Sequence, residues 1–261
     1  MLTAALLHDV GHGGLNNAVL KATGDPLIKK YGGEAPYEKY HTALGEQLIQ
    51  KHADTVLKPL PSNAQRATLL QDLATLIGAT DMAQHGSVVD ELRKAKTSDL
   101  SLTKNGSRPL THQQILLLSK ALLKCADIGN VARPFEASKT RAAQLAAEFE
   151  ALGEFQQARG LEVTPLFRDT STQLGTMSSG FVTHVALPLF EALEAWMPSA
   201  KGIASRVRAN ELLWKRLQQQ EAQQKEAQQA RAKGQAQAQQ QEQEAEQSDE
   251  GTCSSGGSGS E

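Results

Sequence analysis

The 261-residue chain carries 27 basic and 29 acidic side chains, and its formal net charge of -2 excludes the basic surface with which proteins hold nucleic acid. Its two cysteines, Cys125 and Cys253, stand far apart, so no disulfide framework is expected and a reducing compartment, the cytoplasm, is predicted. No apolar run in the sequence approaches the length of a membrane span.

Apolar residues recur at helical spacing almost everywhere, which predicts an all-α fold, a compact bundle of many helices. The opening segment, residues 1–7, is predicted to be the middle of a buried helix that runs into His8 and Asp9. Residue 1 is therefore not expected to be the natural beginning of the domain. If this helix continues to His12, the two histidines share one face, because they are four residues apart.

Further helices follow in chain order. Capping boxes, in which Ser or Thr is followed three residues later by Gln, mark helix starts at Ser62 and Thr111. Pro134 marks a break, and the Ser-, Thr- and Gly-rich stretch 169–179 is predicted to be a loop. The helical segments are predicted at 37–53, 67–76, 115–123, 137–157 and 181–196, the last interrupted at Pro188.

The composition changes near residue 206. Residues 1–205 are predicted to form the folded domain, and residues 206–261 an exposed Gln-, Ala- and Glu-rich helix that ends in a flexible Gly/Ser tail. The stretch 218–247 has no sustained apolar stripe with which a helix could bury a face. The sequence identifies no partner for this low-complexity tail.

The pair His8 and Asp9 is the first candidate for chemistry, because it follows directly on an apolar segment. A buried carboxylate without a partner is costly. A divalent metal ion is a suitable partner, since imidazole nitrogen and carboxylate oxygen both bind zinc. The alternative is that the two side chains satisfy each other by hydrogen bonding.

A second carboxylate, Asp127, closes a helix in which positions 115, 116, 118, 122 and 123 are all apolar. This helix is predicted to be buried all round, so Asp127 needs a cation or several hydrogen-bond donors. Asp127 could instead act as a cap or pair with Lys124. Because two such carboxylates occur, each in an apolar helix, one metal ion shared by both is favoured over a separate structural explanation for each.

His8-Asp9 followed far downstream by Asp127 resembles the HD-type phosphohydrolases, and among them the class I cyclic-nucleotide phosphodiesterases. The family pattern H-D-x-x-H-x-G-x-x-N matches residues 8–17, and C-A-D-x-x-N-x-x-x-P matches residues 125–134. Residues 38–43 are similar to E-N-H-H-x-A, residues 80–85 to T-D-M-x-x-H, and residues 180–191 to G-F followed by x-P-L-F-E. The resemblance covers about residues 1–200, with the motifs in order and at the family's spacing.

The resemblance implies roles for individual residues. The zinc ligands would be His8, Asp9 and Asp127, and Asp9 would also bridge to a second ion, usually magnesium. Three catalytic side chains would hold the metal-bound waters: His12, Glu38 and Thr80. The nucleotide pocket would be formed by Asn130, Leu145, Phe149, Ser178 and Phe181, with Phe181 stacked on the base opposite Leu145. His85 matches the pattern without an assignable role, and His41, His52, His112 and His184 receive none.

The activity that the resemblance implies is hydrolysis of 3′,5′-cyclic nucleotides, cAMP, cGMP or both, to 5′-nucleoside monophosphates. Two metal ions would activate a water as hydroxide and neutralise charge on the phosphoryl oxygens. The leaving 3′ oxygen would have to receive a proton. The cyclic nucleotide is the implied partner, and the sequence leaves open whether regulatory domains lie upstream in a longer protein.

The chain departs from the family pattern at two points. It contains no H-N-x-x-H motif, which in the family supplies the general acid and a further metal ligand. Because loss of a general acid costs about 100- to 10,000-fold in rate, this chain is expected to be inactive or nearly so. Ser178 stands where the family has a purine-binding glutamine, and a hydroxyl cannot offer the paired donor and acceptor of an amide. The preference for cAMP or cGMP therefore stays open.

Two other functions remain open from the sequence. One is a different HD-type nucleotide phosphohydrolase, against which the segment around Phe181 argues, because the wider superfamily does not require that segment. The other is a non-catalytic phosphodiesterase-like module that binds nucleotide or protein, which the absent motif favours. The oligomeric state does not follow from the sequence.

Overall fold

The computed structural model describes residues 1–95, 109–168 and 173–253, and these residues form helices and connecting turns without a strand. The all-α prediction is confirmed. No helix in the described ranges combines the length and apolar character needed to cross a membrane. The α-helices are α1 Leu2–Leu7, α2 Asn17–Thr23, α3 Pro26–Tyr31, α4 Pro36–Lys51, α5 Ala53–Val56, α6 Asn63–Gly78, α7 His85–Lys94, α8 His112–Asp127, α9 Phe135–Gln157, α10 Leu174–Phe181, α11 Leu187–Trp196 and α12 Lys201–Cys253.

Both predicted capping boxes form. The Gln65 N–H donates to Ser62 Oγ at 3.2 Å, and the Ser62 N–H donates back to Gln65 Oε1 at 3.3 Å. The same exchange joins Thr111 and Gln114, at 3.3 and 2.8 Å. Because each pair satisfies N–H groups of the first turn, α6 and α8 begin directly after Ser62 and Thr111, a few residues before the predicted apolar segments.

Two hydrophobic cores meet on α8. The main core contains residues of α7, α8, α11 and α12, among them Ala121 of α8. A second core joins α1, α4, α6 and α8, and it includes Ala4 and Leu123. Since Ala121 faces one core and Leu123 the other, packing on both sides fixes the end of α8, where Asp127 lies.

The opening helix is shorter and less buried than predicted. It ends at Leu7, and although Ala4 is buried, Leu6 is 82% exposed. The chain then turns at Gly11, whose φ is 75°. A Cβ at Gly11 would lie 2.8 Å from side-chain atoms of Leu44 and Tyr40, so another residue would have to displace them and adopt a strained positive φ. The condition under which His8 and His12 would share a helix face is not met, because the helix ends before His8.

The predicted loop at 169–179 is wrong for its second half. Residues 169–172 lie outside the described ranges, but Leu174–Phe181 is α10. A π turn at Val182–Ala186 joins α10 directly to α11, so the helical stretch begins earlier than the predicted residue 181. Pro188 lies in the first turn of α11, where its missing N–H costs little, and the wide π turn before it gives its ring room.

The last helix, α12, begins in the core and becomes exposed along its length. Val207 and Trp214 are buried in the main core, and the edge of the Phe135 ring packs on Trp214 with the ring centroids 4.9 Å apart. Residues 222–235 are exposed. The division of the chain after residue 205 stays a prediction, and we propose that the folded unit continues to Glu221. The predicted Gly/Ser tail at 254–260 lies outside the described residues.

Buried Asn210 ties α12 to the turn after α8. Its Nδ2 donates to the carbonyl oxygens of Val131 and Arg133, at 2.8 Å each. This turn, Gly129–Ala132, is a short 3-10 helix. The amide therefore replaces the backbone donors that these carbonyls would find in a regular helix.

We predict that Asn210→Ala lowers the free energy of unfolding by about 2–4 kcal/mol, because two carbonyl oxygens lose their donor. Urea denaturation measures the effect. The matched control, Gln220→Ala, changes an exposed side chain of the same helix, and we expect it to stay within about 0.5 kcal/mol of the unaltered chain. Equal stability of the two variants would contradict the role of Asn210.

Candidate metal centre

Three side chains converge where α1 and α8 end. His8 Nε2 lies 3.3 Å from Asp127 Oδ1 and 3.4 Å from Asp9 Oδ2. One possible ligand atom of each residue lies within 4.8 Å of those of the other two. One imidazole and two carboxylates at this spacing could hold a divalent ion. The structure thus brings together the three residues predicted to bind zinc, and their binding of an ion stays a prediction.

The sequence suggested that the two carboxylates are buried in the interior. In the structure they lie at the surface. The side chains of Asp9 and Asp127 are 62% and 31% exposed. Asp127 is the last residue of α8, and Ile115 near the start of that helix is also exposed, so the prediction of a helix buried all round is wrong. The cost of burying a carboxylate is therefore no argument for a metal ion at this site. The argument is instead the convergence of three side chains that can act as ligands.

The buried charge on α8 is Lys124, which is 3% exposed. Its ammonium group donates to the carbonyl oxygens of Ala79, Asp81 and Thr80, at 2.7, 3.3 and 3.5 Å. The ammonium group of Lys124 therefore binds the backbone that follows α6. The alternative prediction, that Lys124 pairs with Asp127, is wrong. Burial lowers the pKa of Lys124.

The orientation of His8 fits a metal ligand. Its Nδ1 donates to the carbonyl oxygen of Ala5 at 3.0 Å, so Nε2 is the nitrogen that faces both carboxylates. Metal-binding histidines usually have their second ring nitrogen held in this way. The hydrogen bond to Asp127 raises the pKa of His8 to about 9, against the lowering effect of burial.

His41, to which the sequence assigned no role, lies beside the centre. It is fully buried, its Nδ1 donates to the Val10 carbonyl oxygen at 2.8 Å, and its Nε2 lies 3.9 Å from Asp9 Oδ1. The rings of Tyr37, His41 and His12 stack on one another in pairs, with centroid distances of 5.4 Å for Tyr37–His41, 4.4 Å for Tyr37–His12 and 5.8 Å for His12–His41. This stack supports the turn that carries Asp9. The signal for His41 was its place in the motif at residues 38–43.

The other predicted water-binding residues are held by local hydrogen bonds. Glu38 Oε2 accepts from Asn17 Nδ2 at 3.0 Å, and Asn17 Oδ1 accepts from the Tyr37 N–H at 3.2 Å. The Thr80 hydroxyl donates to the carbonyl oxygen of Ile77 at 2.7 Å. Asn17 matched the family motif without receiving a role, and its contacts show that it orients Glu38.

The predicted nucleotide-binding residues follow Asp127 along the chain. Asn130 lies in the turn after α8, and Leu145 and Phe149 lie on α9, which packs against α10. Leu145 is exposed, whereas Phe149 contacts Phe167 in a small separate core, with the ring centroids 5.3 Å apart. Leu145 is therefore open to a ligand, whereas Phe149 is partly covered by its neighbours in this core.

The remaining two, Ser178 and Phe181, lie on α10. Phe181 is partly buried and packs against the main core. Ser178 is buried, and its Oγ finds no hydrogen-bond partner among the described residues. Its hydroxyl therefore has an unused donor and acceptor, but the oxygen is not accessible from solvent.

A cleft of about 1010 Å³ opens between α4, α6 and α7 and is lined by residues that include Glu38, Glu46 and Asp81. None of the three residues of the metal centre and none of the five predicted nucleotide-binding residues lines it. Its size alone is therefore no reason to place a substrate there.

Comparison with known proteins gives a family. A family model described as 3'5'-cyclic nucleotide phosphodiesterase matches residues 1–207. The mouse (Mus musculus) high affinity cGMP-specific 3',5'-cyclic phosphodiesterase 9A is 29% identical over 199 residues, 76% of this chain and 35% of the relative. The mouse 3',5'-cyclic-AMP phosphodiesterase 4C is 28% identical over 189 residues, 72% of this chain and 27% of the relative. The chain thus spans about a third of these relatives or less.

A solved structure agrees with these sequence matches. The phosphodiesterase domain of the Salpingoeca rosetta rhodopsin phosphodiesterase superposes with a TM-score of 0.77 at 26% sequence identity. The match covers 87% of this chain and 68% of that domain structure. The similarity therefore extends over most of the helices described above.

We predict that Lys124→Met lowers the free energy of unfolding by about 2 kcal/mol, because the carbonyl oxygens at the end of α6 lose a charged donor. Lys120→Met is the matched control, since Lys120 lies one turn earlier and pairs with Glu91 at 3.8 Å on the surface. Such a pair is worth less than about 1 kcal/mol. Chemical denaturation of both variants tests the difference, and an equal loss would contradict the special position of Lys124.

Proposed function

Because the chain belongs to the 3'5'-cyclic nucleotide phosphodiesterase family, we propose that it hydrolyses 3′,5′-cyclic nucleotides at the centre formed by His8, Asp9 and Asp127. The observation that carries this proposal is the convergence of these three ligands within the part of the chain that matches the family. One relative is named for cGMP and another for cAMP, so the proposal covers both nucleotides.

We assign metal binding to the Nε2 of His8 and to carboxylate oxygens of Asp9 and Asp127. The mixed nitrogen and oxygen donors suit zinc. Asp9 is exposed on its remaining side, so its carboxylate could also reach a second ion, and magnesium, which keeps several waters, suits that position. When bound, such ions supply an activated water and neutralise phosphoryl charge.

Three nearby side chains would orient water and substrate at this centre. In the described part of the chain, Glu38 uses Oε2 for Asn17 and no hydrogen bond involves its Oε1, so that oxygen could accept from a water. Thr80 donates to the backbone and keeps its acceptor capacity. His12 is exposed, and stacking on the Tyr37 ring restricts the orientation of its imidazole.

We assign the nucleotide to the side of the centre formed by α9, α10 and the turn at Gly129–Ala132. Phe181 would stack on the base opposite Leu145, with Asn130 and Phe149 beside them. The Ser178 hydroxyl is buried, so it would have to become accessible to reach the base edge, and it could then make one hydrogen bond where a glutamine could make two. Discrimination between cAMP and cGMP is therefore expected to be weak.

A second candidate function is nucleotide binding without hydrolysis. It is favoured by the absence of an H-N-x-x-H motif from the 261 residues, since that motif supplies the general acid in the family pattern. Both candidates use the same centre and the same pocket. Product formation separates them.

We predict that Asp127→Asn weakens zinc binding by at least about 10- to 100-fold, the range seen when even indirect supports of a metal site are lost. Isothermal titration calorimetry with zinc chloride measures the affinity. The control is Asp72→Asn, because Asp72 also contacts a histidine, His112, at 3.0 Å. In the described ranges no third ligand joins that pair. An equal loss of affinity in both variants would refute the assigned centre.

We predict that this chain, loaded with zinc and magnesium, hydrolyses labelled cyclic nucleotide about 100- to 10,000-fold more slowly than a family member that carries H-N-x-x-H. Asp127→Asn should abolish the remaining product, whereas Asp72→Asn should not. Nucleotide binding without any product would favour the binding module. Absence of both binding and product would contradict the proposed function.

A further inference from the structure

The start of α10 needs a partner from outside its own sequence. The first N–H groups of any helix have no acceptor within it. An N-cap side chain usually provides one, but the residue before α10, Gln173, makes no such hydrogen bond. The Ser- and Gly-rich sequence of α10 gives it little helical preference of its own, so what covers its start matters for its position.

Glu221 of α12 covers this start. The Gly175 N–H donates to Glu221 Oε1 at 2.6 Å, and the Thr176 N–H donates to Oε2 at 3.1 Å. The Thr176 hydroxyl donates to the same Oε2 at 3.3 Å. These are the second and third N–H groups of α10, those that an N-cap side chain normally satisfies. A carboxylate also suits the positive end of a helix.

Gly175 allows this close approach. A Cβ at this position would lie 2.6 Å from the Gln218 nitrogen and 2.8 Å from the Leu217 carbonyl carbon, both backbone atoms of α12. A side chain at residue 175 must therefore push the two helices apart. Gly180 lies on the same helix, and a Cβ there would meet no atom within 4 Å.

Two other contacts fix α12 independently of Glu221. Asn210 holds the turn after Asp127, as described above. Glu211 accepts a hydrogen bond from the Thr183 hydroxyl, in the π turn that follows α10, at 2.9 Å. Because these contacts remain when Glu221 is replaced, a substitution there affects the start of α10 without detaching the whole helix.

We propose that Glu221 is a positioning residue for the nucleotide. By capping α10, it fixes the helix that carries Ser178 and Phe181 relative to the metal centre. The inference rests on the proposed function, since it needs those side chains to contact the base. Glu221 lies beyond residues 1–207, the part that matches the family, so this contact comes from the chain's own terminal helix.

The test compares Glu221→Ala and Gly175→Ala with the unaltered 261-residue chain. Hydrogen exchange at residues 174–177 should become about tenfold faster, which corresponds to about 1.4 kcal/mol. The Kd and KM for labelled cGMP and cAMP should rise about tenfold. The kcat should change less than about twofold, and zinc affinity should not change, because the metal centre lies on other elements.

Two matched substitutions serve as controls. Glu226→Ala removes an exposed carboxylate five residues further along α12, and it should leave exchange, Kd and KM unchanged. Gly180→Ala adds a methyl group to α10 where there is room, and the exchange at 174–177 should stay slow.

Faster exchange with unchanged Kd and KM in Glu221→Ala would overturn the inference, because the cap would then serve stability alone. Unchanged exchange would overturn it as well. Both results leave the proposed function standing, provided that the unaltered chain binds and hydrolyses nucleotide. If the unaltered chain does neither, the proposed function fails, and this inference fails with it.

Discussion

The meeting of two helix ends is the interaction on which the rest of this structure depends. His8 and Asp9 follow the end of α1, Asp127 is the last residue of α8, and His8 Nε2 lies within 3.4 Å of both carboxylates. Packing holds this geometry, because α8 contributes to both the main core and the second core. The ammonium group of Lys124 also ties α8 to the end of α6. The polar groups of the centre can therefore lie at the surface and still be fixed in position.

The side of the centre proposed to bind nucleotide depends on a different element, the terminal helix. Asn210 holds the turn after Asp127, Glu211 holds the π turn after α10, and Glu221 caps α10. Each contact joins α12 to a segment next to a predicted pocket residue. A helix whose composition suggested a separate tail thus helps to position the predicted nucleotide-binding residues.

The sequence predicted those parts of the fold that local chemistry decides. The capping boxes at Ser62 and Thr111 are confirmed, and so is the resemblance to the phosphodiesterases, through the match over residues 1–207. Remote contacts explain the errors. α10 looked like a loop because its cap comes from Glu221, far along the chain. The burial of Lys124 was not predicted because lysine is rarely buried, and its acceptors lie just after another helix, α6. Asp127 was judged buried because an apolar stripe does not show where its helix ends.

Anomalous diffraction at the zinc absorption edge, from crystals of this chain grown with zinc, tests the central claim most directly. We expect one strong peak at about 2.0–2.2 Å from His8 Nε2 and from a carboxylate oxygen of both Asp9 and Asp127. A peak bound elsewhere, or one bound by His8 without Asp127, would contradict the shared centre. It would also remove the basis for hydrolysis at this site.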